Sequence, residues 1–94
     1  VQGGDPRGDG TGGPGYTLVD ELSPRPFVRG TVGMALAGPD TGGSQWFITL
    51  VPQPRLDAKY TVFGHVVRGW DVLDQVAPWD AIERVRIWDG VSFE

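Results

Sequence analysis

The chain has 94 residues, 39% of them hydrophobic and 21% charged, which predicts a single globular domain of ordinary composition. The absence of cysteine excludes a disulfide framework, a thiolate nucleophile and a cysteine zinc site, and a single histidine excludes a His-rich metal site. The net charge of −4 argues against nucleic-acid binding, which needs a basic face to neutralise phosphates.

The first five residues, VQGGD, lack an initiator methionine and read like the middle of a strand, so we expect the natural chain to begin upstream. They contain neither the charged n-region nor the apolar h-region of a signal peptide. No apolar run approaches the roughly 18 residues of a membrane span. The sequence therefore predicts a soluble chain and leaves its compartment undetermined.

Glycine and proline are abundant, at 15 and 8 residues, which favours short strands and tight turns over a helix bundle. The glycine-rich segment 3–15 is expected to form a shaped loop. In the next loop a short helical turn at 20–23 would end at Pro24.

Three runs of apolar, aromatic and β-branched residues predict strands at 31–36, 46–51 and 60–68. Pro52 ends the second strand because proline lacks the ladder donor, and Gly64 is a candidate bulge in the third.

The last part of the chain predicts one helix and one further strand. Apolar residues recur at helical spacing over 70–77, and Pro78 ends the pattern. Residues 84–88 alternate between apolar and polar, which predicts a half-buried strand. Residues 1–94 are therefore expected to form one mainly β domain with about five strands and one α-helix.

Several short motifs match a chemistry that their context does not support. The glycine spacing over 10–15 fits a dinucleotide-binding fingerprint, but no helix follows to hold a pyrophosphate. A calcium-loop match over 5–16 fails because Arg7 stands at a ligand position and Tyr16 at the closing glutamate. Ser44 lacks the second glycine of a nucleophile elbow. The sequence thus predicts no metal and no cofactor, and an enzyme would have to work by shape and hydrogen bonds.

A longer pattern closely resembles the signature of the cyclophilins, the peptidyl-prolyl cis-trans isomerases. The matching segments are VQGGD at 1–5, GTGG at 10–13, GMA at 33–35, AGPDTGGSQWFIT at 37–49 and LDAKYTVFG at 56–64. They occur in order, with few gaps, over nearly the whole chain. The resemblance implies the C-terminal half of a cyclophilin-like antiparallel β-barrel, in a domain incomplete at its N-terminus.

The resemblance implies that the chain accelerates rotation of X-Pro bonds in peptides and unfolded proteins. Amide resonance sets a rotation barrier of about 18–20 kcal/mol. An isomerase favours the twisted amide, whose nitrogen becomes a hydrogen-bond acceptor. An apolar pocket for the proline ring and suitably placed donors are sufficient for this chemistry.

Matched position by position, the resemblance implies Gln2, Gln45 and Phe47 as catalytic residues. The two glutamines would hydrogen-bond the substrate backbone. Phe47 would line the proline pocket with Leu56 and Tyr60, and Tyr60 stands where the family usually has histidine. The substrate-binding residues implied in this way are Ala35, Leu36, Phe47, Leu56 and Tyr60.

The resemblance also implies roles for three further positions, Ala35, Leu36 and Arg55. Ala35 would floor the neighbouring groove, and Leu36 replaces an asparagine that the family uses through its main chain. Arg55 replaces a tryptophan known for contacting cyclosporin, so we expect weakened cyclosporin binding.

Without the resemblance, these residues have simpler explanations. Phe47 and Leu56 would fit a core, whereas Gln2 and Gln45 would fit a solvated surface.

The resemblance also implies a missing part. The family's catalytic arginine and two apolar pocket residues lie upstream of the segment that matches Val1, and no arginine of this chain occupies that position. A half-barrel would expose sheet edges and an apolar face, which self-association could cover. Two alternatives to an isomerase therefore stay open: a catalytically impaired X-Pro peptide-binding module, or a structural, self-associating fragment.

Overall fold

A four-stranded antiparallel sheet organises the computed structural model, which describes residues 1–92. Its strands stand in the order β1-β3-β2-β4. Their bounds are β1 Gln2–Gly3, β2 Thr31–Met34, β3 Trp46–Ile48 and β4 Val62–His65. The remaining elements are a 3₁₀ helix, Pro54–Leu56, and one α-helix, α1, Trp70–Leu73. The prediction of a mainly β, antiparallel partial barrel with one helix is confirmed, with four strands and β1 and β4 as its edges.

The register of the sheet places one row of residues side by side. Phe47 of β3 pairs with Gln2 of β1 on one side and with Gly33 of β2 on the other. Because directly opposed residues project from the same face of a sheet, Gln2 and Phe47 share a face. Gly33 adds no side chain to the row, which leaves room there for aromatic rings.

The core is small and centres on Phe27, a loop residue that is 1% exposed. A Cβ built on Gly33 would lie 2.8 Å from Phe27 Cε1 and 2.8 Å from Phe47 Cζ. The two rings therefore occupy the space that the missing side chain leaves over the sheet. Thr31 and Thr49 are buried beside them, and Thr49 Oγ1 donates a hydrogen bond to the Val28 carbonyl.

Helix α1 is attached to the sheet through Trp70. Gly30 has φ of 82°, and a Cβ there would run into the Trp70 ring. The Arg29 guanidinium lies 5.3 Å from the centroid of the same ring and forms a 2.9 Å ion pair with Asp74. His65 packs edge-to-face on Trp70 and is itself exposed.

Within residues 1–92 no helix has the length and apolar character needed to cross a membrane.

The predicted strands exist but are shorter than predicted. The strand within the run 46–51 ends at Ile48. Thr49 still bonds to the backbone of Gly30 and Thr31, but Leu50 and Val51 are exposed, and the prolines that follow supply no ladder donor. In β4 the pairing steps from Val32↔Gly64 to Gly33↔Val62, so the extra residue of the bulge is Phe63, adjacent to the predicted Gly64.

The helix prediction over 70–77 was too long. After Leu73 the hydrogen bonds tighten, with the Gln75 N–H donating to the Val72 carbonyl. The Ala77 N–H then donates to Asp80 Oδ2 at 2.8 Å, so a side chain replaces the helical acceptor. The residue before a proline is also disfavoured in a helix, which applies to Ala77.

The strand predicted over 84–88 is not one of the four strands of the sheet, although Trp88 forms a single β-bridge. Residues 84–87 are irregular chain, and Val85 and Ile87 are 69% and 59% exposed. An alternating pattern yields a strand only where a neighbouring strand accepts its ladder. The turn of helix expected at 20–23 is likewise irregular chain.

Candidate functional site

Three aromatic rings form an apolar cluster at the centre of the sheet. Phe47 stacks on Phe27 with 5.4 Å between centroids and an interplanar angle of 20°. Tyr60 meets Phe47 edge-to-face at 5.8 Å and 90°, and meets Phe27 in the same manner at 6.5 Å. Each aromatic pair in such a geometry contributes about 0.5–1.5 kcal/mol of favourable interaction energy in addition to that from burying its apolar area. The two predicted pocket residues, Phe47 and Tyr60, are thus brought into contact.

Sequence reasoning missed Phe27, the buried ring of this cluster that packs against both Phe47 and Tyr60. Its N–H donates to Asp57 Oδ1 at 2.8 Å, and its carbonyl accepts the Gln53 N–H at 2.8 Å. These two bonds tie the proline-rich loop of Phe27 to the loop that carries Leu56. A single aromatic residue directly after Pro24 and Pro26 was the available signal, but it has no periodicity that would indicate burial.

Leu56 lies half-buried at the end of the 3₁₀ helix, four residues before Tyr60. The hydrogen bond from the Gln53 N–H to the Phe27 carbonyl places the start of this helix beside the loop of Phe27. The neighbouring Arg55 is exposed, and its Nε donates to Gln53 Oε1 at 3.2 Å.

Two side-chain amides, linked by a hydrogen bond, lie on the same face of the sheet as Phe47. Gln2 Nε2 donates to Gln45 Oε1 at 2.8 Å. Gln45 Nε2 in turn donates to the carbonyls of Gly10, at 3.1 Å, and Gly12, at 2.7 Å. The two glutamines predicted to bind substrate are thus joined to each other and to the glycine-rich loop.

Ala35 and Leu36 line a groove of about 490 Å³ together with Gln2 and Gln45. The Ala35 N–H donates to the Gln45 carbonyl at 3.1 Å, which continues the β2–β3 pairing past Met34. The glycine-rich loop forms the opposite wall of the groove, whereas Phe47, Leu56 and Tyr60 do not line it. The predicted residues therefore fall into two adjoining parts, an aromatic side and an amide-lined groove, joined by the Gln2–Phe47 pair.

The glycine-rich loop closes around the carboxylate of Asp5. Its oxygens accept the N–H groups of Arg7 and Asp9, both at 2.9 Å, and of Gly10 at 2.5 Å. Loss of solvent would raise the pKa of Asp5, but these bonds and a contact from Gly12 outweigh it and hold the pKa below its ordinary value of 3.8. The loop is therefore organised by a charged side chain at neutral pH.

Among residues 1–92, no three histidine or acidic side chains cluster closely enough to hold a metal ion. The arrangement offers an apolar aromatic wall, amide donors and acceptors, and a groove beside them.

The chain is similar in sequence to known cyclophilin-type proteins. The profile of the family described as cyclophilin type peptidyl-prolyl cis-trans isomerase/CLD matches residues 1–90. The chain is 49% identical over 81 residues to peptidyl-prolyl cis-trans isomerase CYP18-2 of Arabidopsis thaliana, covering 81% of this chain and 49% of the relative. It is 54% identical over 70 residues to peptidyl-prolyl cis-trans isomerase B of Bacillus subtilis, covering 72% of this chain and 49% of the relative.

Solved structures agree with the sequence relatives. The crystal structure of a cyclophilin type peptidyl-prolyl cis-trans isomerase of Cryptosporidium parvum superposes with a TM-score of 0.76 at 36% identity. The match covers 88% of this chain and 56% of that protein. A structure of the Cryptosporidium parvum enzyme in the presence of the dipeptide Ala-Pro gives the same TM-score at 37% identity, covering 88% of this chain and 57% of that one.

The chain spans about half the length of the curated relatives it matches. Within that half the match is continuous, since the family profile extends over residues 1–90 and the structural superposition over 88% of the chain. On this evidence the chain belongs to the cyclophilin-type peptidyl-prolyl cis-trans isomerase family.

Proposed function

We propose that this chain binds X-Pro segments of peptides and unfolded proteins and accelerates their cis–trans isomerisation. The observation that carries the proposal is the edge-to-face contact of Phe47 and Tyr60 at 5.8 Å, directly beside the Gln2–Gln45 amide pair. It combines an apolar surface for a proline ring with polar groups for the adjoining peptide backbone.

The proposed chemistry is differential binding of the twisted amide. Phe47, Tyr60 and Leu56 hold the proline ring while the peptide on its other side rotates. Gln2 and Gln45 hold the peptide backbone through their side-chain amides. Each 1.4 kcal/mol by which these contacts favour the twisted over the planar amide accelerates rotation about tenfold, and no proton needs to be transferred.

The proposed substrate class is a peptide that contains Ala-Pro or a similar X-Pro pair. The relative from Cryptosporidium parvum was solved in the presence of the dipeptide Ala-Pro. The groove lined by Ala35 and Leu36 adjoins the aromatic side, so it would take a neighbouring residue of the same peptide.

The test is exchange NMR on the 94-residue chain with an Ala-Pro peptide. We expect cis and trans signals to interconvert faster than in peptide alone, and Phe47→Ala to remove the enhancement. Phe63→Ala is the matched control, because Phe63 is 55% exposed on β4 and lines no part of the amide-lined groove. A folded chain that binds the peptide without accelerating exchange would reduce the function to peptide binding. A folded chain that does neither would refute the proposal.

Self-association through the open side of the molecule is a further part of the proposal. Five apolar residues are each more than 60% exposed: Val67, Val72, Trp79, Val85 and Val91. Their exposure supports self-association, because apolar side chains left in water favour contact with another protein surface. We expect the sedimentation coefficient to rise with protein concentration, and a constant monomer value would contradict self-association.

Weak cyclosporin binding is also proposed. Arg55 is exposed where many family members carry tryptophan, and a charged guanidinium removes the apolar contact that an indole would make.

A further inference from the structure

The Asp5 carboxylate occupies the centre of the glycine-rich loop rather than the substrate-binding surface. Three backbone N–H groups of the loop, those of Arg7, Asp9 and Gly10, donate to it. Hydrogen bonds to a charged acceptor are stronger than those between neutral groups. The carboxylate therefore determines the path of the chain over 5–12.

The same loop ends in the two carbonyls that hold Gln45. Gly10 donates its N–H to Asp5 and accepts from Gln45 Nε2 through its carbonyl. Gly12 also accepts from Gln45 Nε2, and an added Cβ at Gly12 would collide with Asp5 Oδ1. Asp5 is thus one peptide unit away from the acceptors that orient the Gln45 amide.

Gln45 links the loop to Gln2, the other glutamine proposed to bind the substrate. With its Nε2 held by the loop, its Oε1 is turned toward Gln2 Nε2 at 2.8 Å. If the loop relaxed, the amide would lose both carbonyl acceptors and could rotate, which would release Gln2 as well. The orientation of both glutamines therefore depends on the loop.

We propose that Asp5 is a positioning residue of the isomerase site, which acts through the Gly10 and Gly12 carbonyls to orient Gln45 and, through it, Gln2. This inference rests on the proposed function, because Gln45 is assigned there to hold the substrate backbone. Asp5 itself touches no substrate.

The experiment compares Asp5→Ala with Asp89→Ala in the 94-residue chain. Asp89 is the matched control, because its exposed carboxylate also accepts two backbone N–H groups, from Val91 and Ser92, far along the chain from the site. We expect Asp5→Ala to shift the side-chain NH₂ signals of Gln45 and to weaken Ala-Pro peptide binding on the order of tenfold, since small misplacements of positioned groups have large effects. Asp89→Ala should leave both unchanged.

A double-mutant cycle separates positioning from a general loss of structure. If Asp5 acts through Gln45, Asp5→Ala should have little effect on peptide affinity once Gln45→Ala is present. Asp5→Asn, which keeps one acceptor oxygen, should recover part of the affinity. Effects that add fully in the cycle, or unmoved Gln45 signals, would overturn the positioning role.

The outcomes distinguish this inference from the function on which it rests. If the unsubstituted chain does not bind the Ala-Pro peptide, the proposed function fails. If it binds and Asp5→Ala binds equally well, only the positioning role fails. If Asp5→Ala loses the dispersion of its sheet amides, Asp5→Asn serves as the second variant, because it removes the charge and keeps the size of the side chain; unmoved Gln45 signals there would overturn the role.

Discussion

The side chains of Gln2 and Gln45 are joined by a 2.8 Å hydrogen bond although 43 positions separate them in the chain. The two-residue strand β1 makes the contact possible, because it sets Gln2 opposite Phe47 in β3. A shift of one residue in this register would turn Gln2 to the other face of the sheet. The site therefore depends on a short edge strand as much as on its own side chains.

Gly33→Ala should destabilise the fold by about 1–3 kcal/mol, the usual effect of overpacking a core. Its new Cβ would lie 2.8 Å from both the Phe27 and the Phe47 ring. Gly64→Ala is the control, since a Cβ there meets Val32 at an ordinary 3.4 Å. Urea unfolding of both variants measures the difference, and equal stabilities would contradict the packing over Gly33.

Gly30→Ala should destabilise the fold more than Gly69→Ala. Both glycines have positive φ, at 82° and 83°, so alanine is strained by about 1–2 kcal/mol at either position. Only Gly30 faces the Trp70 ring, whereas nothing lies within 4 Å of a Cβ at Gly69. We expect thermal unfolding to show at least about 1 kcal/mol of additional loss for Gly30→Ala. Matching losses would mean that Trp70 does not pack on Gly30.

Tyr60→Phe should leave the affinity for an Ala-Pro peptide within about twofold, because the ring that meets Phe47 edge-to-face is retained. Tyr60→Ala should weaken it about tenfold, which corresponds to about 1.4 kcal/mol. Peptide titration followed by NMR gives both values. A large loss in Tyr60→Phe would assign the proposed role to the hydroxyl rather than to the ring.

Acidification should open the glycine-rich loop only at low pH. Since the pKa of Asp5 in the folded chain lies below 3.8, its carboxylate favours the folded loop above the ordinary value of 3.8. That contribution is lost as the pH falls through the lowered pKa. The amide signals of Arg7, Asp9 and Gly10 should shift together in that range and be displaced from their wild-type positions in Asp5→Asn. A transition at or above pH 3.8 would contradict the hydrogen bonding described for Asp5.

Arg55→Trp should strengthen cyclosporin binding by about tenfold or more, because tryptophan is a frequent source of large interface energies. Lys59→Trp is the control, since Lys59 is another exposed basic residue of the same loop region. Isothermal titration with cyclosporin compares the two variants with the unsubstituted chain. Tight binding by the unsubstituted chain would show that Arg55 does not weaken the site.

Local sequence patterns were sufficient to predict a strand or helix where the residues of the segment themselves favour that structure. The runs within 31–36, 46–51 and 60–68 are β-branched and aromatic, and each contains an observed strand. The position of α1 after Gly69 was likewise predicted. In each of these segments adjacent residues favour the same backbone conformation, so the element can be predicted before its neighbours are known.

The candidate site was predicted from motifs, not from periodicity, and the structure brings Phe47 to Tyr60 and Gln2 to Gln45. The part that motif reasoning missed is Phe27. Burial of Phe27 follows from two long-range hydrogen bonds, to Asp57 and Gln53, and from the space over Gly33. None of these relationships leaves a local trace in the sequence.

The sequence by itself determined the strand-forming segments, the one helix and the residue types available for binding a proline ring. The tertiary structure alone decided that residues 84–87 stay outside the four-stranded sheet, that Phe27 is buried, and that the Asp5 loop holds Gln45. The physical reason is that strand formation, burial and hydrogen bonding between distant residues depend on partners. Their positions are set by the register of the whole sheet rather than by the local chain.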